Sequence, residues 1–113
     1  MPDWHGIEFI HLPSYRRSAE VLIDDEEQRT LEERLVHDPE TGPVMPGTGG
    51  VRKLRVAMPG RGRRGGARVI YYYRRSAQRI YLIVAYAKGR KDDLTPAECA
   101  TMRRLTTLLE GET

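Results

Sequence analysis

Three runs of β-branched and aromatic residues constrain the fold of this chain more than any other feature. They are Val51–Met58, Ala67–Tyr73 and Arg79–Ala87, and glycine, proline and charged residues separate them. Such runs favour a pleated, half-buried sheet, and glycine-rich and proline-rich breaks are typical of the turns between strands. The pattern therefore predicts an antiparallel meander at the centre of the fold, with the last run, which is apolar on both faces, in the middle of the sheet.

The same stretch is strongly basic. Between Arg52 and Lys91 there are thirteen lysines and arginines and no aspartate or glutamate. Residues 1–50 carry four arginines against eleven acidic residues, a balance of −7, whereas residues 51–113 carry fifteen basic residues against five acidic ones, a balance of +10. A basic surface of this kind favours a negatively charged partner, and nucleic acid is the first candidate.

The acidic half of the chain predicts a short strand and two helices. Ile7–Leu12 is a strand candidate that ends at a proline, and helical spacing of apolar residues begins at Ser14. Asp24 or Asp25 is the expected N-cap of the second helix, because further carboxylates follow it and favour the positive end of the helix dipole. The Asp38-Pro39 pair is expected to end that helix.

The C-terminal part predicts a third helix. Thr95-Pro96-Ala97-Glu98 has the pattern of a capping box with proline at the first helical position, and the helix is expected to run to about Glu110, against the sheet or a partner. The element order predicts a single α+β domain over residues 1–113. In it, two N-terminal helices cover one face of a small antiparallel sheet and the other face carries the cations.

Composition narrows the class of protein further. A chain of 113 residues can bury a core without covalent staples. Its one cysteine, Cys99, allows no disulfide framework or cysteine-based zinc site and suits a reducing compartment. No apolar run approaches the roughly 20 residues that span a bilayer, and the N-terminus lacks a signal pattern. We therefore expect a soluble, cytoplasmic protein that does not contact membranes.

Alternation along the first meander strand indicates which cations face the open side. Leu54 and Val56 give their face more apolar bulk, so we expect Lys53 and Arg55 on the other face. Further cations belong to the loop after this strand and to the turn after the last one. The residues that we expect to bind RNA are Arg52, Arg55, Arg61, Arg63, Arg64 and Arg90.

The basic sheet contains no histidine, and the chain has no metal-ligand spacing, nucleophile elbow or phosphate loop of the GxxxxGK[ST] type. If the protein cuts RNA, its cations must therefore do most of the chemistry. Arginine and lysine can neutralise the pentacoordinate phosphorane, and a lysine among other cations can accept the proton of a ribose 2′-hydroxyl.

Three segments carry a family resemblance: GTGGVRKLR, then GRGRRGGARVIYYY, then IYLIVAYAKGRKDDLTPAE. Together they resemble the HigB-like branch of the RelE/ParE toxin superfamily, the toxins of type II toxin–antitoxin systems. The resemblance covers Asp38 to about Leu109. It implies a RelE-like fold, in which a small antiparallel sheet has two N-terminal helices on one face and an active cleft on the other.

The resemblance also implies an activity and a set of residues. RelE-like members cleave messenger RNA in the ribosomal A site with the 2′-hydroxyl as internal nucleophile, without a metal or cofactor, and HigA-like antitoxins with a helix-turn-helix domain neutralise HigB-like toxins. Carried over to this sequence, Arg68 and Lys53 are expected to stabilise the phosphate. Lys88 or Lys91 is expected to transfer a proton.

One departure from the family pattern concerns the general base. Many ribosome-dependent members carry a tyrosine just beyond the basic turn, where this chain reads DDLTPAE. Tyr71 or Tyr73 is the fallback candidate. Two other functions stay open: inhibition of DNA gyrase, as in ParE-like members, and non-catalytic binding of nucleic acid. The density of cations in the strands favours the nuclease, and we expect negligible activity on RNA without ribosomes, because the cleft lacks a good base of its own.

Overall fold

The computed structural model describes residues 6–56, 66–87, 89 and 93–112. It is an α+β structure, as predicted. In chain order the elements are β1 (Glu8–His11), α1 (Pro13–Leu22), α2 (Asp25–His37), β2 (Arg52–Val56), β3 (Ala67–Arg74), a 3-10 turn (Arg75–Ala77), β4 (Arg79–Ala87) and α3 (Pro96–Glu110). Within the ranges that the structure describes, no helix is long and apolar enough to cross a membrane.

The four strands form one sheet in the order β1-β4-β3-β2. Strand β3 is antiparallel to both β2 and β4, so the predicted meander is confirmed, and β4 lies inside the sheet as its apolar sequence indicated. Strand β1 pairs with β4 in parallel, which makes the sheet mixed rather than wholly antiparallel. Parallel neighbours need a long crossover connection, and the two helices that follow β1 provide the first part of one.

Local capping explains where the helices begin. Asp24 is the N-cap of α2, and its side chain and that of Glu27 each accept a hydrogen bond from the other residue's backbone amide, both at 2.8 Å. Thr95 and Glu98 form the same capping box at the start of α3, with distances of 3.1 and 2.8 Å. Helix α1 begins at Pro13, one residue before the predicted start, because proline fits the first helical position.

The sheet has a core on each face. The residues of α1 and α2 that pack on one face, with their partners in the sheet, are Tyr15, Ala19, Leu31, Leu35, Leu54, Val56, Val69, Tyr71 and Leu82. Helix α3 packs on the other face, where the core contains Met45, Val51, Ile70, Tyr72, Tyr81, Ile83 and Leu109. The face that carries the predicted cations is therefore shared: α3 covers its apolar part, and the cations lie at the end of β2 and the beginning of β3.

Candidate active site

The pairing of β2 with β3 brings three of the predicted site residues together. Arg55 lies directly opposite Arg68, so both side chains point to the same face, and Lys53 is two residues from Arg55 on that face. The backbone amide of Lys53 donates outward, to the carbonyl of Pro43 at 3.1 Å. Because antiparallel residues alternate, Arg55 and Arg68 then form a pair of the close, non-hydrogen-bonded kind, with their Cα atoms about 4.5 Å apart.

Arg68 is a buried cation with no compensating partner among the residues that the structure describes. Only 6% of the residue is exposed. Its Nη1 atom is buried, and nothing in the described part of the chain makes a hydrogen bond to it. Burial of a charge is unfavourable unless it is paired, and like charges directly opposite on neighbouring strands destabilise a sheet. An anion bound beside Arg68 would offset both of these costs.

These cations surround a pocket of about 230 Å³. The described residues that line it include no acidic side chain; they are Arg34, Thr41, Pro43, Lys53, Leu54, Arg55 and Arg68. Lys53 Nζ lies 3.9 Å from a carboxylate oxygen of Asp93, which is 91% exposed, so this ion pair contributes little. No group of three or more His, Cys, Asp or Glu side chains within the described ranges could hold a metal ion.

Sequence reasoning did not identify Arg34 as a residue of this pocket. It lies in the last turn of helix α2, in which acidic residues outnumber arginines, and its Nη1 donates a hydrogen bond to the backbone carbonyl of Arg55 at 3.1 Å. A basic residue in a last turn is common, because it complements the negative end of the helix dipole. The sequence therefore gives no sign that the side chain of Arg34 extends from the helix to the outer edge of β2.

Arg52 was predicted to bind RNA, but the structure places it away from the pocket. It alternates with Lys53 and shares its face with Leu54, on the side of α1 and α2. Its Nη1 donates to the carbonyls of Glu40 at 2.9 Å and Gly42 at 2.8 Å. Arg52 therefore holds the loop that supplies two of the pocket's walls.

Tyr71 and Tyr73 also lie on the face that α1 and α2 cover, so neither of these two candidate bases reaches the pocket. The hydroxyl of Tyr71 donates to the carbonyl of Pro39 at 2.8 Å and accepts from the amide of Gly42 at 3.0 Å. Burial raises the pKa of Tyr71 above its ordinary value. This phenol is a structural hydrogen-bonding group in the core and is poorly suited to accept a proton.

A bulge in β4 places another tyrosine beside the cations. The register shifts at Ile83, so that Tyr86 lies opposite Arg68 and packs on the same face of the sheet. Two serines of α1 bind the irregular backbone: Ser14 Oγ donates to the carbonyl of Ile83 at 2.5 Å, and Ser18 Oγ accepts from the amide of Ala85 at 2.8 Å. Without the extra residue, the alternation of side chains would place Tyr86 on the opposite face. Bulges often redirect side chains in this way near functional sites.

The GTGG segment before β2 is a packed turn. Thr48 is fully buried, and its hydroxyl donates to the carbonyl of Met45 at 2.6 Å and accepts from the amide of Val51 at 3.1 Å. Gly49 has φ +80°, and a Cβ there would lie 2.5 Å from the hydroxyl oxygen of Thr106 on α3. Glycine is required here for contact between this turn and α3.

The remaining predicted site residues lie outside the described ranges. They are Lys88 and Lys91, expected to transfer a proton, and the RNA-binding candidates Arg61, Arg63, Arg64 and Arg90. The end of the predicted strand Val51–Met58 also lies outside them. The roles of these residues therefore stay predictions.

In a comparison with known protein families, the chain matches the model described as the RelE toxin of the RelE/RelB toxin–antitoxin system. It extends over residues 33–113, which is more than half of the chain. The matched range includes the meander, α3 and all of the cations that line the pocket.

Proposed function

Since the chain belongs to the RelE toxin family, and is thus the toxin of a toxin–antitoxin pair, we propose that it stops translation by cleaving messenger RNA on the ribosome. The main support for this proposal is the burial of Arg68 directly opposite Arg55. A buried guanidinium that faces a second arginine across the sheet, in a pocket lined by cations, is a binding site for a phosphodiester.

The proposed reaction is an internal transesterification. The 2′-oxygen attacks the adjacent phosphorus, the bond from phosphorus to the 5′-oxygen breaks, and the products end in a 2′,3′-cyclic phosphate and a 5′-hydroxyl. Arg68 and Lys53 stabilise the negative charge on the non-bridging oxygens of the phosphorane. We assign transfer of the proton from the 2′-hydroxyl, or to the leaving 5′-oxygen, to Lys88 or Lys91.

The residues that line the pocket support the proposed ribosome dependence. Its cations bind and neutralise a phosphate, but the described residues that line it include no histidine or carboxylate that could serve as a base. Most of the rate enhancement must then come from holding the 2′-oxygen in line with the leaving group, which the decoding site can do for a bound codon. The protein is proposed to act in the cytoplasm, and its proposed neutralising partner is a HigA-like antitoxin with a helix-turn-helix domain, as in the HigB-like branch.

The test uses purified toxin with one message, either free or bound in the A site of ribosomes. Sequencing gels locate the cuts, and end-group analysis identifies the 2′,3′-cyclic phosphate. Arg68→Ala is the test variant and Arg75→Ala is the control, because Arg75 is an exposed arginine on the 3-10 turn and does not line the pocket. We expect cuts on the ribosome-bound message with wild type and Arg75→Ala, and none with Arg68→Ala.

Other results would favour the other functions. Rapid cleavage of the free message would contradict ribosome dependence. Intact messages together with accumulating nicked or linear DNA in gyrase assays would indicate a ParE-like activity. Binding of RNA that Arg68→Ala weakens, without any cleavage by wild type, would indicate a non-catalytic binding protein.

A further inference from the structure

We propose that Arg34 binds the RNA phosphate next to the scissile one, so that the acidic helix α2 supplies part of the substrate site. This inference rests on the proposed function, since it takes RNA as the ligand of the pocket. Neither the family match nor the charge pattern assigns a role to this arginine, because α2 belongs to the half of the chain that carries an excess of acidic residues.

The side chain of Arg34 is held in place at the pocket. One of its N–H groups is committed to the carbonyl of Arg55 at 3.1 Å, and the residue lines the pocket together with Lys53 and Arg68. A guanidinium has five N–H donors, and this is the one hydrogen bond that its side chain makes within the described ranges. The remaining donors are available to a phosphate, and the bond to Arg55 reduces the entropy lost on binding.

The cations of the pocket come from three different elements. Arg68 extends from β3, Lys53 and Arg55 extend from β2, and Arg34 reaches the outer edge of β2 from a helix. Neighbouring strands are about 4.8 Å apart, and α2 lies beyond the second of them. The backbone positions that carry these cations are therefore spread over a distance wider than one phosphate group. Arg68 is buried whereas Arg34 is exposed, which places one contact deep in the pocket and the other at its rim. A polyanion with successive phosphates fits this arrangement better than a single anion does.

The outer edge of β2 is covered by the loop before it and by α2. The amide of Lys53 is bonded to Pro43, and the carbonyl of Arg55 is bonded to Arg34, so the loop and the helix occupy this edge in place of another strand. Lys53 and Arg55 of this edge line the pocket, as do Thr41 and Pro43 of the loop and Arg34 of the helix. Thr41 and Pro43, which also line the pocket, bring no charge that would oppose a phosphate there.

The experiment measures binding of a six-nucleotide single-stranded RNA with one 2′-deoxy position, which cannot be cut there, by fluorescence anisotropy over a range of salt concentrations. The variants are Arg34→Gln and Arg34→Lys. Arg29→Gln is the control, since Arg29 is an exposed arginine of the same helix that does not line the pocket. Thermal unfolding of each variant checks that the fold is retained.

We expect Arg34→Gln to bind the oligonucleotide about tenfold more weakly at low salt. The slope of log K against log salt should fall by about 0.7, the value for one phosphate contact on a single strand. Arg34→Lys should recover the slope but not the full affinity, because lysine keeps the charge and loses the planar fork. In the ribosomal cleavage assay, Arg34→Gln should raise KM and leave kcat within about twofold of wild type.

Equal affinity and equal salt slope for Arg34→Gln and Arg29→Gln would overturn the proposal. So would a drop in Tm of Arg34→Gln accompanied by equal losses in kcat and binding, which would indicate a structural role alone. The phosphate contact of Arg34 and the nuclease activity can be refuted separately. If wild type cuts the message and Arg34→Gln behaves like the control, the contact is refuted and the nuclease stands; if wild type cuts nothing, the binding measurement still decides the role of Arg34.

Discussion

Replacing Arg68 by methionine should make the protein more stable while it abolishes cleavage. The native side chain leaves a buried donor without a partner in the described part of the chain, at a penalty of about 1–3 kcal/mol. Its repulsion from Arg55, directly opposite on β2, adds about 0.2–1 kcal/mol. Methionine removes both terms and fills a similar volume with a flexible apolar chain.

The expected gain in the free energy of unfolding is about 1–3 kcal/mol, which corresponds to a rise in Tm of roughly 4 °C or more for a chain of this size. The assay is urea denaturation of the purified toxin followed by circular dichroism, with cleavage on ribosomes measured in parallel. Arg75→Met is the matched control, because this arginine is exposed, and its stability should change by no more than about 0.5 kcal/mol.

A gain in stability is expected only if Arg68 is an uncompensated charge in the unliganded toxin, as it is among the described residues. A loss of more than about 1 kcal/mol in Arg68→Met would show that this guanidinium stabilises the fold, and the argument for an anion site at the arginine pair would fail. A gain in stability with full cleavage would refute the catalytic role while leaving the electrostatics intact. The expected combination, greater stability with no activity, is typical of a site whose charges are arranged for a ligand.

Three other substitutions test the positions of particular side chains. Tyr71→Phe should lower the free energy of unfolding by about 1–2 kcal/mol without changing the rate of cleavage, as measured by denaturation and by the ribosomal assay; a large loss of activity would contradict the assignment of this tyrosine to the opposite face. Burial, with a contribution from the bond to Glu110, raises the pKa of Tyr72 from 10.0 to about 12. As pH rises, the unfolded chain therefore loses this proton before the folded protein does, so the stability that the phenol contributes is present below pH 10 and is lost as pH rises to about 12. In alkaline denaturation, the free energy of unfolding of Tyr72→Phe should fall less steeply with pH than that of wild type. Parallel curves for the two proteins would contradict this prediction. Gly49→Ala should destabilise the protein more than Gly89→Ala, because both glycines have positive φ and only the first would place its Cβ against α3; equal Tm shifts would contradict the packing of the turn.

The fold was predictable because local signals and the hydrophobic pattern agree. The capping residues Asp24 and Thr95 mark helix starts by their own hydrogen-bonding chemistry, and the apolar sequence of β4 has no stable place except inside the sheet. The parallel pairing of β1 was not predictable in the same way. It depends on contacts between residues about 70 positions apart, and nothing in the sequence of Glu8–His11 specifies the direction of its partner.

The candidate site was predictable in part. Alternation along β2 correctly places Lys53 and Arg55 on one face, and Arg68 joins them across β3. Arg52 was predicted to bind RNA because it belongs to the same basic run, but its neighbours turn it toward loop carbonyls, a contact that composition does not reveal.

Two positions near the pocket depend on tertiary structure alone. Arg34 reaches the outer edge of β2 because α2 ends beside that strand, and no period or motif in α2 signals this. The face on which Tyr86 lies depends on a bulge whose backbone groups form hydrogen bonds with serines of α1. One extra residue in the strand is enough to move this side chain to the other face of the sheet.

The most direct measurement of the central claim is induced expression in bacteria, with wild type beside Arg68→Ala, followed by primer extension on two copies of one message, one translated and one without a start codon. We predict growth arrest by wild type with cuts confined to the translated copy, and neither arrest nor cuts with Arg68→Ala. Growth arrest by wild type with both copies intact, or equal cutting of the two copies, would contradict the central claim.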